Sequence, residues 1–303
     1  MKWNKQGLIF SPKGEFEWMQ SYALIPTADI ISNDTVRIYF ATLDREMYGR
    51  IGYIDVDMLN LKNIKNISEK PVLDIGDIGT FDDSGVNPSC ILTVDNKKYL
   101  YYYGWQRCER VPHMLFAGLA TSEDGENFTK VSRVPVLDRT KEEPYLRSAT
   151  SIIVEDNIFK CWYVSAINWI LVNDKSYPKY VIKYAYSYDG IEWISENHTC
   201  ISFKNEYEYG FGRPWVVKEN DMYKMWYSIR SINEPYKIGF ATSKNGLDWT
   251  RLDEEAGIEK SESGWDSEMI CYPNIVKFNS KTYMFYNGNR HGKTGFGYAI
   301  LEE

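Results

Sequence analysis

Residues 214–249 read PWVVKENDMYKMWYSIRSINEPYKIGFATSKNGLDW, and this stretch determines the fold. A strand that starts at Pro214 is followed by the polar turn Glu219-Asn220-Asp221 and by a second strand, Tyr223-Lys-Met-Trp-Tyr. A third strand begins at Ile238 and runs into the turn Ser243-Lys-Asn-Gly-Leu-Asp-Trp. Apolar and polar residues alternate between turns, and Asn-Gly supplies the positive φ of a tight turn, so the stretch predicts antiparallel β-hairpins.

The same pattern recurs about every 60 residues along the chain. The first strands start at Pro26, Pro88, Thr150, Pro214 and Pro273, and the turn Ser-x-Asp/Asn-Gly-x-x-aromatic occurs at residues 122–128, 187–193 and 243–249. We interpret that turn as a structural staple at the edge of a sheet. Five antiparallel units without a helical period predict an all-β fold, a single five-bladed β-propeller. The last repeat is one strand short, so residues 7–10 are predicted to join the sheet of residues 295–299 and close the ring.

Composition and charge restrict the class of protein. The 303 residues are 44% hydrophobic and 25% charged, and no linker divides them, so one domain over residues 1–303 is predicted. The net charge of −7 is opposite to the basic surface that a nucleic-acid partner requires. No apolar run is long enough for a membrane span. Five cysteines without metal-ligand spacing, and no apolar leader at the N-terminus, predict a reduced, cytoplasmic protein.

Chemistry is expected at one mouth of the central channel. In a propeller the first strand of each blade starts at this face and the second strand returns to it. Before the first strands lie Asp82, Asp83, Glu143, Arg147, Glu208, Arg213, Asp266 and Glu268; after the second strands lie Trp105, Arg107, Trp169, Arg230, Arg290 and His291. Carboxylates, arginines and tryptophans around one concave opening predict a binding site.

The repeats carry a resemblance to a known superfamily. The strand spacing, the shared turns and the segments Gly79-Thr-Phe-Asp82-Asp83-Ser and Gly264-Trp-Asp266-Ser-Glu268 resemble the five-bladed propeller glycosidases. That superfamily comprises arabinanases and β-xylosidases, invertase-like fructosidases and β-mannoside phosphorylases. The chain is also similar to uncharacterised relatives found among bacterial surface-polysaccharide genes. The resemblance covers all five repeats and implies a carbohydrate-active enzyme that acts at a glycosidic bond.

The resemblance also implies roles for carboxylates. In the hydrolases a carboxylate of blade one is the base or nucleophile, one of blade two orients the substrate, and a Glu of blade three is the acid. Asp83, or its neighbour Asp82, matches blade two, and Glu143 or Glu142 matches blade three, with Glu208 and Glu268 assisting. Blade one departs from the pattern, because residues 18–26 contain no carboxylate. Two-carboxylate hydrolysis therefore lacks one of its groups.

The phosphorylases of the superfamily instead combine one acidic residue with a cationic pocket in which phosphate is the attacking group. Such a pocket is predicted from Arg107, Arg147, Arg213, Arg230, Arg290 and His291, since a guanidinium matches phosphate or carboxylate oxygens. Trp105, Trp169 and Trp215 are candidates for stacking on a sugar, and Asp82 and Asp266 for binding it.

Three functions stay open at this point. The first is glycosidic-bond cleavage by hydrolysis or by phosphate- or acceptor-dependent transfer. The second is non-catalytic sugar binding, and the third is action on nucleotide-linked or phosphorylated sugars. A carbohydrate partner, with phosphate or an anionic sugar, is expected; no cofactor is. No transition-metal site is expected from the histidine spacing, and a structural Ca²⁺ in the channel stays open.

Overall fold

The computed structural model describes residues 1–172 and 174–302, and the described chain is all-β. In chain order its strands are β1 (Trp3–Phe10), β2 (Ser21–Ile30), β3 (Thr35–Leu43), β4 (Gly49–Asp57), β5 (Ile64–Ile67), β6 (Gly85–Val94), β7 (Lys97–Arg107), β8 (His113–Ser122), β9 (Thr129–Lys130), β10 (Arg147–Glu155), β11 (Ile158–Val172), β12 (Lys175–Ser187), β13 (Thr199–Ile201), β14 (Glu208–Glu219), β15 (Met222–Ser231), β16 (Lys237–Ser243), β17 (Thr250–Arg251), β18 (Cys271–Phe278), β19 (Lys281–Asn287) and β20 (Phe296–Leu301). Two short helical turns, Asp253–Glu255 and Asn289–Gly292, complete the list. No helix among the described residues is long and apolar enough to cross a bilayer.

Pairing follows chain order in units of four strands. Within β2–β5, β6–β9, β10–β13 and β14–β17, each strand pairs antiparallel with the next. A further unit consists of β18, β19 and β20, and β1 adds to it by pairing with β20. Gly7 lies opposite Tyr298 and Phe10 opposite Phe296, so the pairing predicted for residues 7–10 is confirmed.

The Asp-Gly and Asn-Gly turns link neighbouring units. The carbonyls of Gly125, Gly190 and Gly246 accept hydrogen bonds from Tyr39 Oη (2.7 Å), Tyr101 Oη (2.8 Å) and Trp162 Nε1 (2.7 Å), each on the second strand of the preceding unit. The three glycines have φ of 72° to 76°, which a side chain would disfavour. Each turn is thus a staple between units, in agreement with the sequence interpretation.

Aromatic side chains fill the space between adjacent units. Phe40 of β3 packs against Phe10 of β1, with ring centroids 5.1 Å apart, and against Phe296 of β20 at 5.8 Å. The first and last parts of the chain therefore share one apolar cluster. Burial of each such ring stabilises the fold by roughly 2 to 3 kcal/mol.

Candidate functional site

A cavity of about 560 Å³ lies where the first strands of the units begin. Its walls are Ile25, Asn87, Tyr103, Trp105, Arg107, Pro112, His113, Leu115, Ser148, Ala149, Val164, Tyr180, Phe211, Gly212, Arg213, Arg230, Tyr236, Tyr272 and His291. Three arginines, two histidines and several aromatic rings stand among them, and none of these lining residues is Asp or Glu. The volume falls within the usual range for sites that bind small molecules, about 300 to 1,000 Å³.

A repeated backbone distortion aims five side chains into this cavity. Ile25, Ala149, Arg213 and Tyr272 have φ of 57°, 47°, 26° and 57°, and each lies at a register shift in the first strand of its unit. Asn87 holds the equivalent place before Pro88, where β6 also shifts register. Bulges of this kind re-aim side chains, and non-glycine residues at positive φ are strained and cluster at functional sites. All five residues line the cavity.

Arg213 forms the floor of the cavity. Its side chain is 1% exposed, and it donates to Pro26 O (2.7 Å) and Thr27 Oγ1 (2.8 Å) of β2, and at 3.3 Å to the carbonyls of Tyr272 and Ser89. A residue of β14 thereby ties together β2, β6 and β18. Burial lowers the pKa of Arg213 to about 9, so it stays cationic at neutral pH.

Arg230 stands in the cavity wall inside a cage of tyrosines. Its guanidinium carbon lies 5.1 to 5.4 Å from the ring centroids of Tyr180, Tyr209 and Tyr236, and its Nε donates to Tyr236 Oη. Tyr180 Oη lies beside the guanidinium, and no described carboxylate forms an ion pair with Arg230. Burial opposes its charge, but the surrounding tyrosine oxygens hold the pKa of Arg230 above its ordinary value. Arg230 therefore brings to the cavity wall a cation that has phenol partners and no described carboxylate partner.

Several other polar groups around the cavity also lack a partner. Asn87 Oδ1, Tyr180 Oη, Arg213 Nε and His291 Nε2 are buried and make no hydrogen bond within the described chain. Buried polar atoms usually form hydrogen bonds, so several unbonded polar atoms around one cavity indicate that a ligand binds there. Burial and the charge of Arg230 lower the pKa of both His113 and His291 to about 4. At neutral pH the lining charge therefore comes from arginines alone, with no carboxylate among the lining residues to balance it.

The predicted carboxylates take part in a different pattern. Asp82 accepts from Tyr102 Oη (3.0 Å), Glu143 from Tyr163 Oη (2.8 Å) and Asp266 from Tyr286 Oη (2.9 Å), always 20 residues further along the chain. Each carboxylate is buried and also meets a cation: Lys130 at 2.6 Å, Arg147 at 3.3 Å and Lys5 at 2.8 Å respectively. Repetition at equivalent places in three units is the pattern that a scaffold role predicts.

The contacts around Glu143 favour its ionised form. Burial would raise its pKa, but the hydrogen bond from Ser165 (2.6 Å) and the charge of Arg147 hold the pKa below its ordinary value, with Lys183 at 3.4 Å contributing. A general acid at neutral pH ordinarily has a raised pKa, which these contacts do not give Glu143. Arg147, which was predicted to bind substrate, donates to Asp138 O and Tyr163 Oη instead.

The remaining predicted residues divide between the cavity and its surroundings. Trp105, Arg107, Arg213, Arg230 and His291 line the cavity. Asp82, Asp83, Glu143, Arg147, Trp169, Glu208, Trp215, Asp266, Glu268 and Arg290 do not.

Glu208 is buried in a two-bond pair with Arg251, at 2.8 Å for each bond. Glu268 and Arg290 are exposed and 3.8 Å apart. Trp215 is buried and donates to Ile275 O. These side chains are therefore occupied in the scaffold or open to solvent.

Asp83 is connected through Ser84 to Arg107, a residue of the cavity lining. Its carboxylate accepts from Gly79 N and Ser84 Oγ, both at 2.9 Å, and Ser84 Oγ in turn accepts from Arg107 N at 3.2 Å. Arg107 donates to Glu46 O and Met47 O, each at 2.7 Å, and its guanidinium lies over the ring of Tyr48. Asp83 thus supports the backbone that carries Arg107 at the rim.

Sequence reasoning missed most of the aromatic lining and, at the bulges, Ile25, Ala149 and Tyr272. Ile25, Asn87, Ala149 and Tyr272 each stand directly before the first-strand residues by which the repeats were aligned, as Arg213 does, so the alignment itself held that signal. No sequence signal marked Tyr180 and Tyr236 as lining residues. No group of three His, Cys, Asp or Glu side chains suited to a metal ion occurs within residues 1–172 and 174–302.

Comparison with known structures defines the class of fold. The chain superposes on a glycoside hydrolase with a TM-score of 0.77, at 17% identity, covering 98% of this chain and 90% of that one. It is also similar to a thermostable family-43 glycoside hydrolase (TM-score 0.69, 15% identity, 92% and 88% covered). A third similar structure represents the GH130 family of mannoside phosphorylases, which contains glycoside hydrolases that target β-1,2-mannosidic linkages in Candida mannan (TM-score 0.72, 16% identity, 99% and 93% covered). The fold is thus that of the propeller glycoside hydrolases and mannoside phosphorylases, as the sequence resemblance implied.

Sequence comparison assigns the family. The chain belongs to the same family as the uncharacterized protein Rv1502 of Mycobacterium tuberculosis, with which it is 35% identical over 302 residues that span all of both chains. It is also 29% identical over 165 residues to a 1,2-β-oligomannan phosphorylase of a Thermoanaerobacter species, a match that covers 52% of each chain. No profile of a known protein family matches the chain.

Proposed function

We propose that the chain is one five-bladed propeller over residues 1–303, and that it acts on a glycosidic bond in the cavity with phosphate rather than water as the acceptor. The period of about 60 residues supports five blades. The pairing of β1 with β20 supports closure of the ring. The observation that carries the function is a carbohydrate-enzyme fold whose cavity is lined by three arginines and by no carboxylate.

The absence of lining carboxylates is the reason to favour phosphate. Hydrolysis of glycosides ordinarily uses two carboxyl groups on either side of the bond, one of which activates water or attacks the sugar. A phosphate ion carries its own nucleophilic oxygens and needs cationic donors to hold it. The guanidinium of Arg230, with Tyr180 Oη and His291 Nε2 nearby in the same cavity, offers such donors.

The sugar is proposed from the sequence relative. The Thermoanaerobacter protein is a 1,2-β-oligomannan phosphorylase, so β-1,2-linked mannooligosaccharides are the first substrates to test. The cavity volume of about 560 Å³ is large enough for a short oligosaccharide with a phosphate ion. Trp105 at the wall provides an aromatic face for a sugar ring.

Phosphorus NMR can test the reaction directly. Purified protein is incubated with β-1,2-mannotriose, with and without inorganic phosphate, and mannose 1-phosphate is followed with time. We expect product only when phosphate is present, and a loss of at least tenfold in Arg230→Gln. Arg133→Gln, a substitution at an exposed ion pair with Asp77, is the matched control and should behave as the wild type. Release of free mannose at equal rates without phosphate would contradict the proposal and indicate hydrolysis.

A second candidate is non-catalytic binding of an anionic carbohydrate, including a phosphorylated or nucleotide-linked sugar. It is favoured by the absence of any lining carboxylate and by the three lining arginines Arg107, Arg213 and Arg230. Calorimetric binding of a sugar phosphate, with no turnover of any glycoside, would support this function over the first.

For the compartment we propose the cytoplasm, because all five cysteines are free thiols.

A further inference from the structure

His291 reaches the cavity on an unusual turn. The segment Asn289–Gly292 has left-handed backbone at Arg290 (φ 53°) and His291 (φ 61°), followed by Gly292 at φ 100°. Asn289 Oδ1 anchors the turn by accepting from Glu268 N at 2.7 Å. A residue held at positive φ by such anchoring indicates that the position of its side chain matters.

The ring of His291 is packed on two sides. It meets Tyr236 edge to face, with centroids 4.7 Å apart, and Tyr272 at 6.3 Å. Its Nε2 is buried and has no hydrogen-bond partner within the described residues. His113 lines the same cavity, yet neither of its ring nitrogens is a buried orphan of this kind. Of the two histidines, His291 therefore has the atom that requires a ligand.

The groups that face His291 are one cation and two phenols. Arg230 of β15 contributes the charge, Tyr236 comes from the connection between β15 and β16, and Tyr272 from β18. On its own turn, the neighbouring Arg290 is 3.8 Å from the exposed Glu268. Burial and the charge of Arg230 lower the pKa of His291 to about 4, so the ring is neutral in the free protein at pH 7.

We propose that an oxyanion bound at Arg230 brings a proton to His291, which then donates a hydrogen bond from Nε2 to an oxygen of that anion. This inference deepens the proposed function and rests on its anion site. Protons and charge balance in this step. The neutral imidazole takes one proton from solvent, one N–H bond forms, and the bound anion offsets the new positive charge. The anion neutralises the repulsion from Arg230 and supplies the acceptor that Nε2 lacks. His291 is then the proton carrier of a cavity without lining carboxylates.

Inorganic sulfate is the suitable probe, because it does not titrate near neutral pH and any proton taken up must reach the protein. The chain has only His113, His198 and His291, so the imidazole signals in a proton–carbon NMR spectrum can be assigned with single His→Gln variants. We expect saturating sulfate to raise the pKa of His291 by at least one unit. By linkage, sulfate should then bind up to tenfold more tightly for each unit that the pH falls between the free and bound pKa values. His198, which contacts Leu247 O away from the cavity, is the internal control.

The variants separate this inference from the proposed function. His291→Gln should still bind sulfate through Arg230, but without the increase in affinity at lower pH, whereas His113→Gln should keep that increase. Sulfate binding with an unchanged His291 pKa would overturn the inference and leave the anion site intact. Failure of sulfate to bind the wild type between pH 5.5 and 8 would overturn both.

Discussion

Replacing Glu143 by Gln separates a scaffold role from a catalytic one. The carboxylate of Glu143 is 2% exposed and lies 3.3 Å from Arg147 Nε and 3.4 Å from Lys183 Nζ, whose side chains are each 5% exposed. The substitution removes the negative charge and leaves both cations buried without a counter-charge. It also turns one acceptor oxygen into an NH₂ group that would face the hydroxyl of Ser165 or Tyr163. We therefore expect a large loss of stability.

The magnitude follows from measurements on buried ion pairs. Removing one partner of such a pair costs about 3 to 5 kcal/mol. Unfolding entropy near 2.1 cal/mol/K per residue means that 1 kcal/mol shifts the melting temperature of a chain of this length by about 1.6 °C. The melting temperature of Glu143→Gln should therefore fall by roughly 5 to 8 °C.

Thermal unfolding followed by circular dichroism measures this change, with urea unfolding as a second readout. The matched control is Glu142→Gln at the adjacent exposed residue, whose side chain is 46% exposed and pairs only with Lys141. That change should cost less than about 0.5 kcal/mol. If Glu143→Gln melts with the wild type but loses all turnover or sugar binding, the scaffold assignment is refuted and Glu143 is a catalytic residue.

Three further predictions test the site and its electrostatics. Asp83→Asn should leave the melting temperature within about 1 °C, because Asp83 is partly exposed, and should reduce turnover or sugar binding; a fall of many degrees would make Asp83 a scaffold residue. Arg213→Ala should lower the free energy of unfolding in urea by about 3 kcal/mol or more, because four acceptors around its buried guanidinium lose their donor. An unchanged urea midpoint would contradict the structural role of Arg213 at the base of the cavity. His113 and His291 have folded pKa values near 4, below the ordinary 6.5, so they are held neutral in the native state and stability should decrease as the pH falls from 6.5 towards 4. The loss of unfolding free energy is at most about 3 kcal/mol for each histidine. Urea midpoints at pH 7, 6 and 5 should therefore decline less steeply in His291→Gln than in the wild type, and equal declines would contradict the lowered pKa of His291.

The fold was predictable because its signals are local. Asn-Gly and Asp-Gly turns specify a hairpin from the φ that glycine permits, and the alternation of side chains gives the strands. Repetition then supplied the long-range order, including the pairing of β1 with β20. The same repetition held a further signal, the 20-residue spacing between Asp82 and Tyr102 that returns at Glu143 and Asp266. This spacing predicts a shared structural role for those carboxylates.

The site was predictable only in part, because side-chain direction at its floor depends on the bulges. Arg213 precedes Pro214 and points into the cavity, but the equivalent residue of the third unit is Ala149, two positions after Arg147. One register shift therefore separates a cavity residue from a buried ion pair, and only the alignment of the repeats distinguishes the two positions. Tyr180 and Tyr236 come from a strand and a connection outside the inner strands, so no repeat could indicate them.

The pairing of β1 with β20 has a consequence for biosynthesis. Strand β1 is synthesised about 290 residues before its partner residues 296–301. At about 5 to 20 residues per second, the interval is roughly 15 to 60 s. During that time Ile9 and Phe10, which end in a buried cluster with Phe40 and Phe296, have no native partner strand. Strand β1 thus has an unpaired, apolar edge until residues 296–301 are made, far longer than a strand whose partner follows it directly in the chain.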